Sequence, residues 1–111
     1  MFEADAETIK KLIVDTKRVL LSENNNALRL WLICVYEALE NQNKTVLFDG
    51  KEFELGDLEF VSSRSTITKL FNYNLEASHL EEKEVYLLME QLEFRGYICL
   101  LDEDTHFIVT L

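Results

Sequence analysis

Residues 79–111 constrain the fold most, because the spacing of their apolar residues changes once, from helical to alternating. The first part carries a stripe at intervals of three and four residues: Val85, Leu88, Met89 and Leu92. Gly96 then offers the left-handed conformation that commonly ends a helix. The runs YICLL and HFIVTL follow, joined by the polar residues 102–105. The pattern predicts a helix from about His79 to Arg95 and a two-stranded wing behind it.

Two more helices are predicted at the start of the chain. Asp5 can cap the first, which runs from about Ala6 to Leu21. On one face, at helical spacing, it carries Ile9, Leu12, Ile13, Thr16, Val19 and Leu20. The second helix runs roughly from Ala27 to Glu40. It is apolar almost all round, so we expect it at the centre of the core.

The middle of the chain changes to a strand pattern. An Asp-Gly pair at 49–50 stands between two short strand-forming runs, which is a strong signal for a β-hairpin. The segment LEFV reads as a further short strand. Ser62 or Ser63 can then cap a third helix from Arg64 to about Phe71.

The predicted order of elements is helix, helix, hairpin, helix, helix and wing. This order predicts an α+β protein with a winged-helix (winged helix-turn-helix) fold, an additional N-terminal helix and a β-hairpin before the third helix. A chain of 111 residues is typical of one domain. We therefore expect a single domain over residues 1–111, with residues 1–24 as an N-terminal helical extension.

The charge of the chain is strongly negative and unevenly distributed. The formal net charge is −10. Residues 1–36 are neutral, with five acidic and five basic side chains, and residues 61–72 carry +2. Residues 37–60 carry −5 and residues 73–111 carry −7. Proteins that hold phosphates usually concentrate Lys and Arg, so the balance argues against unaided binding to duplex DNA.

From Leu30 onward the chain resembles the N-terminal winged-helix domains of replisome-organiser and DnaD-type replication proteins of Firmicutes phages and plasmids. The resemblance lies in the segments LWLICVYEAL, LEFVSSRSTITKLF and VYLLMEQLEFRGYI. It implies a winged-helix fold and a role in replication. Two features depart from the family: the connector from Asn72 to Ser78 is long, and glutamates replace the basic or polar residues expected on the recognition helix.

A second apolar stripe lies opposite the core stripe of the fourth helix, on the side that a winged helix presents to DNA. An apolar stripe with a charged rim suits a protein partner better than base edges. The predicted partner-binding residues are Leu80, Lys83, Leu87, Glu90 and Phe94. The alternative is that the N-terminal helix or the 72–78 connector covers Leu80, Leu87 and Phe94. Either interpretation removes this face from DNA.

A basic face on the first helix is the other candidate interaction surface. The residues that could contact single-stranded nucleic acid or an acidic patch on a partner are Lys10, Lys11, Lys17 and Arg18, with Arg64 and Lys69 from the third helix. The alternative is an ordinary solvated helix face.

Catalytic, metal and cofactor sites are not predicted. His79 and His106 lie in different elements without metal-ligand spacing, and the three glycines each have a turn or cap role. Cys34 and Cys99 lie in apolar surroundings, so both are expected to be buried free thiols. No apolar run is long enough to cross a membrane, and the expected location is the cytoplasm.

These observations favour a non-enzymatic accessory protein of DNA replication on a phage, plasmid or chromosomal cassette. Its expected partner is a DNA polymerase, primase, helicase or loader, with single-stranded DNA bound directly or through that partner. Two alternatives stay open. The chain could be an acidic inhibitor that mimics DNA, or a transcriptional regulator that binds DNA itself.

Overall fold

Four helices and two small antiparallel sheets make up residues 5–73 and 75–111, the part of the chain that the computed structural model describes. The protein is therefore α+β, as predicted. The elements are α1 (Ala6–Leu21), α2 (Asn25–Asn41), β1 (Thr45–Phe48), β2 (Lys51–Glu54), β3 (Glu59–Ser62), α3 (Arg64–Asn72), α4 (Glu82–Phe94), β4 (Cys99–Asp102) and β5 (Phe107–Thr110). Residues 1–4 of the predicted extension and Asn74 of the predicted connector lie outside the described residues.

Side-chain caps determine where α1 and α2 begin. The Asp5 carboxylate accepts a hydrogen bond of 2.7 Å from the Thr8 N–H, and this bond lowers the pKa of Asp5. Asn24 caps α2 by accepting a 3.0 Å bond from the Ala27 N–H. The α2 helix is central, as predicted, because it packs against the other three helices and against the β3–β5 sheet. Its fully buried side chains include Leu30, Trp31, Cys34 and Ala38.

The predicted Asp-Gly turn closes the β1–β2 hairpin. Phe48 pairs with Lys51, which leaves Asp49 and Gly50 as a two-residue turn. Both residues have positive φ, 50° and 78°, as a type I′ turn requires. The Phe53 ring meets the His106 ring edge-on, with 4.8 Å between their centroids. The hairpin therefore contacts the chain just before β5.

The second sheet has the order β3–β5–β4, with all pairs antiparallel. Phe60 of β3 pairs with Val109 of β5, and both side chains are buried against the helices, as is Phe107. The β4–β5 pair corresponds to the two strands that the sequence predicts after the fourth helix. The order of elements from α2 onward is compatible with a winged-helix-like arrangement.

The start of α4 differs from the prediction of His79, because the helix begins at Glu82. The Asn72 side-chain amide donates a 2.9 Å hydrogen bond to the Leu80 carbonyl and accepts one of 3.0 Å from the Leu80 N–H. These two bonds satisfy the N–H and C=O groups of Leu80, so its backbone needs no hydrogen bonds within a helix. Ser78 has a positive φ of 62°, which also interrupts helical geometry.

Only part of the apolar face of α1 is buried. The helix packs mainly against α2, and the stripe that it buries is narrow: Leu12, Asp15 and Val19. Ile9, Ile13 and Leu20 are exposed instead. A helix that contacts one neighbour buries only the side turned toward that neighbour. In α1 this side covers one edge of the apolar stripe, and the rest of the stripe is exposed.

The prediction of two buried thiols holds for Cys34 and is wrong for Cys99. Burial in the core raises the pKa of the Cys34 thiol to about 12. Cys99 begins β4, which lies at the edge of its sheet, and successive side chains of a strand point to opposite faces. Ile98 is buried, so its neighbour Cys99 faces outward.

Candidate partner-binding face

The first turn of α4 is stabilised by its glutamates. The Glu84 carboxylate accepts a 3.2 Å hydrogen bond from the Glu81 N–H, as in a capping box. Glu82 and Glu84 also place negative charge at the positive end of the helix dipole. Part of the acidity of this segment is therefore explained by helix formation alone.

The two sides of α4 differ sharply in exposure. Val85, Leu88, Met89 and Leu92 are buried, which confirms the predicted core stripe. On the opposite side, Leu87 is 54% exposed and Phe94 is 92% exposed. Neither the N-terminal helix nor the connector covers these two side chains in the described part of the chain. We call this side the outer face of α4, made of Lys83, Leu87, Glu90, Gln91 and Phe94.

Leu80 does not belong to the outer face. It precedes the helix, it is half-buried, and it packs against the hydrophobic core. The hydrogen bonds from Asn72 hold its backbone in that position. The predicted stripe of three apolar residues is therefore reduced to Leu87 and Phe94.

A shallow groove of about 790 Å³ runs along the C-terminal half of the outer face. Its lining residues are Leu87, Glu90, Gln91, Glu93, Phe94 and Arg95. Sequence reasoning missed Gln91 and Arg95, although Gln91 follows Leu87 by one helical turn and the spacing could have found it. The groove combines an aromatic side chain, an amide and charges of both signs.

The charged residues around the groove have different roles. Glu90 and Lys83 are exposed, and the Lys83 ammonium lies 3.8 Å from the Glu81 carboxylate. Glu93 instead accepts a 2.7 Å hydrogen bond from the Leu100 N–H, so it connects α4 to β4. Glu93 is thus partly structural, while Glu90 remains directed to solvent.

Arg64 lies in a polar cluster that joins α3, α4 and β4. Its guanidinium group stacks over the Tyr86 ring, 3.8 Å from the centroid. The Tyr86 hydroxyl donates a hydrogen bond to the Asp102 carboxylate, and this bond is the main reason that the pKa of Tyr86 is raised. Tyr86 was not predicted from the sequence, since no local spacing relates it to Asp102. The carboxylates of Glu82 and Asp102 line the same pocket as Arg64, which weakens its attraction for phosphate.

The predicted basic residues do not form one patch. Lys10, Lys11, Lys17 and Arg18 are exposed on α1, and Lys11 forms an ion pair of 3.7 Å with Asp15. Lys69 is exposed on α3. One groove of the molecule is lined by α1 and α2, and another by α2 and α3, so α2 lies between the two basic groups.

Metal ligation has no candidate in the structure: within residues 5–73 and 75–111, no three His, Cys, Asp or Glu side chains are grouped so that they could hold an ion. None of the described helices is long and apolar enough to cross a membrane. Comparison of the chain with protein-family models, curated proteins and solved structures finds no match.

Proposed function

We propose that this chain is a non-enzymatic accessory protein of DNA replication on a mobile genetic element. In this proposal the chain has a winged-helix fold, and the outer face of α4 binds a replication enzyme such as a polymerase, primase, helicase or loader. The connectivity supports the winged helix, because β5 lies between β3 and β4 and the two helices α3 and α4 separate β3 from β4. Single-stranded DNA is bound directly or through the partner.

The exposure of Phe94 is the observation that carries the proposal. An aromatic side chain that is 92% exposed beside a half-exposed Leu87 is costly in water. Aromatic anchors surrounded by a polar rim are typical of protein interfaces. The outer face has one lysine, Lys83, and few side chains that could pair with base edges or phosphates, so it suits a protein better than DNA.

Co-purification tests the proposal. The intact chain is co-expressed with the replication enzymes encoded by neighbouring reading frames, alongside a variant with both Leu87→Asp and Phe94→Asp. We expect the variant to remain folded by circular dichroism and to lose its partner. Leu47→Asp is a matched control, because Leu47 is 73% exposed on the β1–β2 hairpin. Retention of the partner by the double variant would contradict the proposal.

A titration of the chain with labelled duplex DNA distinguishes this proposed function from that of a transcriptional regulator that binds DNA directly. We expect weak binding that does not depend on sequence, because the wing and α4 belong to a segment with a charge of −7. Tight, sequence-dependent binding by the isolated chain would instead support a regulator. The salt dependence of partner binding separates the DNA mimic, whose affinity should fall steeply as salt rises, from an apolar interface.

A further inference from the structure

A second apolar surface lies on α1 and α2, on the side of α2 that faces away from the core. Four side chains of this surface are about half exposed: Ile9 at 48%, Ile13 at 50%, Leu32 at 48% and Tyr36 at 54%. They lie near the partly buried Val35 and Leu39. We call this surface the α1–α2 face.

The α1–α2 face has a ridge and two grooves. A groove of about 440 Å³ separates α1 from α2 and is lined by Ile9, Ile13, Val35 and Leu39 among others. A groove of about 510 Å³ separates α2 from α3, and both Leu32 and Tyr36 line it. Helices associate when the side-chain ridges of one fit the grooves of another. Ile9 with Ile13 on α1, and Leu32 with Tyr36 on α2, form such ridges at a spacing of four residues.

The distribution of charge favours a second copy of this chain as the occupant. Two chains of charge −10 repel each other when their acidic parts meet. Residues 1–36, which supply α1 and most of α2, carry no net charge, whereas residues 37–60 and 73–111 carry −5 and −7. Contact through the α1–α2 face thus brings mainly the neutral parts of two copies together, and residues 73–111, the most acidic part, supply neither helix of the face.

The edges of the α1–α2 face carry opposite charges. Ile9 and Leu39 line the same groove, so their neighbours Lys10 and Glu40 lie at the same end of the helical pair, one on each helix. A twofold axis parallel to the helices places α1 of one copy on α2 of the other. Lys10 of each copy then approaches Glu40 of its partner, and the contact occurs twice.

The size of the face suits a dimer of moderate affinity. Helices of 16 and 17 residues are each roughly 25 Å long, and two of them side by side are about 20 Å wide. This footprint of roughly 500 Å² per copy is below the about 800 Å² that each partner buries in a standard interface, which is the range of weaker, micromolar complexes.

We propose that the α1–α2 face is the interface between two copies of this chain, which form a four-helix arrangement with α1 of each copy packed on α2 of the other. The inference does not depend on the proposed function. The α4 helix packs on the buried side of α2, so its outer face stays exposed in such a dimer.

The molar mass of the intact chain in solution tests the proposal, by light scattering after gel filtration at about 100 μM, where a micromolar dimer is close to saturated. We expect twice the 13.0 kDa of one chain. Leu32→Asp should raise the dimer dissociation constant by at least about a hundredfold, because a charge is buried twice in a symmetric interface. Leu47→Asp, on the hairpin, is the matched control and should leave the dimer unchanged.

A charge exchange tests the arrangement of the two copies. Lys10→Glu and Glu40→Lys should each raise the dissociation constant by about tenfold, and the chain with both changes should recover the original value, because opposite charges again face each other. A monomer at the highest concentration, or a dimer that Leu32→Asp leaves intact, would overturn the interface. A double exchange that fails to recover affinity would overturn the pairing of α1 with α2.

Discussion

The α1 and α4 helices are both amphipathic, but they differ in how many neighbouring elements each contacts. The α4 helix packs against α2, α3 and β4, and it buries five side chains. The α1 helix packs mainly against α2 and buries three. An apolar stripe is fully buried only when several elements surround it. The stripe on α1 leaves Ile9 and Ile13 half exposed, where they can serve an interface.

The largest expected effect concerns the core stripe of α4. Met89 is fully buried, so Met89→Ala should lower the free energy of unfolding by about 3 kcal/mol through lost apolar contacts and a cavity. Urea unfolding at one fixed protein concentration measures this loss. Glu90→Ala, at the exposed neighbouring position, should change stability by less than about 0.5 kcal/mol. Similar losses for both variants would break the distinction between the two sides of α4.

The next effect concerns the residue that fixes the approach to α4. Asn72→Ala removes both hydrogen bonds to the Leu80 backbone and should lower the free energy of unfolding by about 2 kcal/mol. Hydrogen exchange of the Leu80 amide should accelerate in the same variant. Asn26→Ala, at an exposed position in α2, serves as control. An unchanged exchange rate at Leu80 would show that Asn72 does not hold the connector.

A smaller loss of stability is expected when a hydrogen bond that holds α1 against α2 is removed. The Trp31 indole N–H donates a 2.9 Å hydrogen bond to the Thr16 hydroxyl, which connects α1 to the centre of the core. Thr16→Val keeps the shape but removes the acceptor, and it should cost about 1 kcal/mol. Thr16→Ser keeps the hydroxyl and should stay closer to the original stability. If the valine variant proves as stable as the serine variant, apolar contact alone holds α1.

The smallest effect concerns α2, which both helices contact. Burial, assisted by the charge of Glu40, raises the pKa of Glu37 above its ordinary value of 4.5. Above the raised pKa the folded chain holds a carboxylate that the unfolded chain hydrates better, so charging Glu37 lowers stability. Glu37→Gln should therefore stabilise the protein at neutral pH, by less than about 1 kcal/mol because the side chain is half-exposed. The gain should disappear as the pH falls below 4.5, where both states are protonated. Thermal unfolding across this range measures it, and a gain that stays constant would contradict the assignment.

Local patterns were sufficient for most elements of the fold. Asp5, Ser63 and the Asp49-Gly50 pair determine helix starts and a turn through hydrogen bonds and φ angles within a few residues, so the sequence reveals them. The start of α4 has a local signal in the Glu81–Glu84 capping box, but the position of Leu80 outside the helix has none. That position depends on the hydrogen bond between the Leu80 N–H and the Asn72 side chain, eight residues earlier. No periodic sequence pattern predicts such a bond.

The candidate site was predicted in part for the same reason. Leu87 and Phe94 follow from the helical wheel of α4, because a helix with one core stripe must expose the opposite side. Leu80 does not belong to the same face, because α4 begins at Glu82 and the helical spacing does not apply to residue 80. The cluster of Arg64, Tyr86 and Asp102 joins three elements, and only packing brings those side chains together.

By itself, the sequence determined the order of helices and strands, the buried stripe of α4, and the neutral and acidic parts of the chain. Periodicity, caps and charge act over a few residues, so they can be read without the fold. Only the tertiary structure decided which apolar stripes are covered. The burial of α1 depends on how many neighbours reach it, and those neighbours come from distant parts of the chain. For that reason the exposure of the α1–α2 face could not be predicted from the sequence and is known only from the structure.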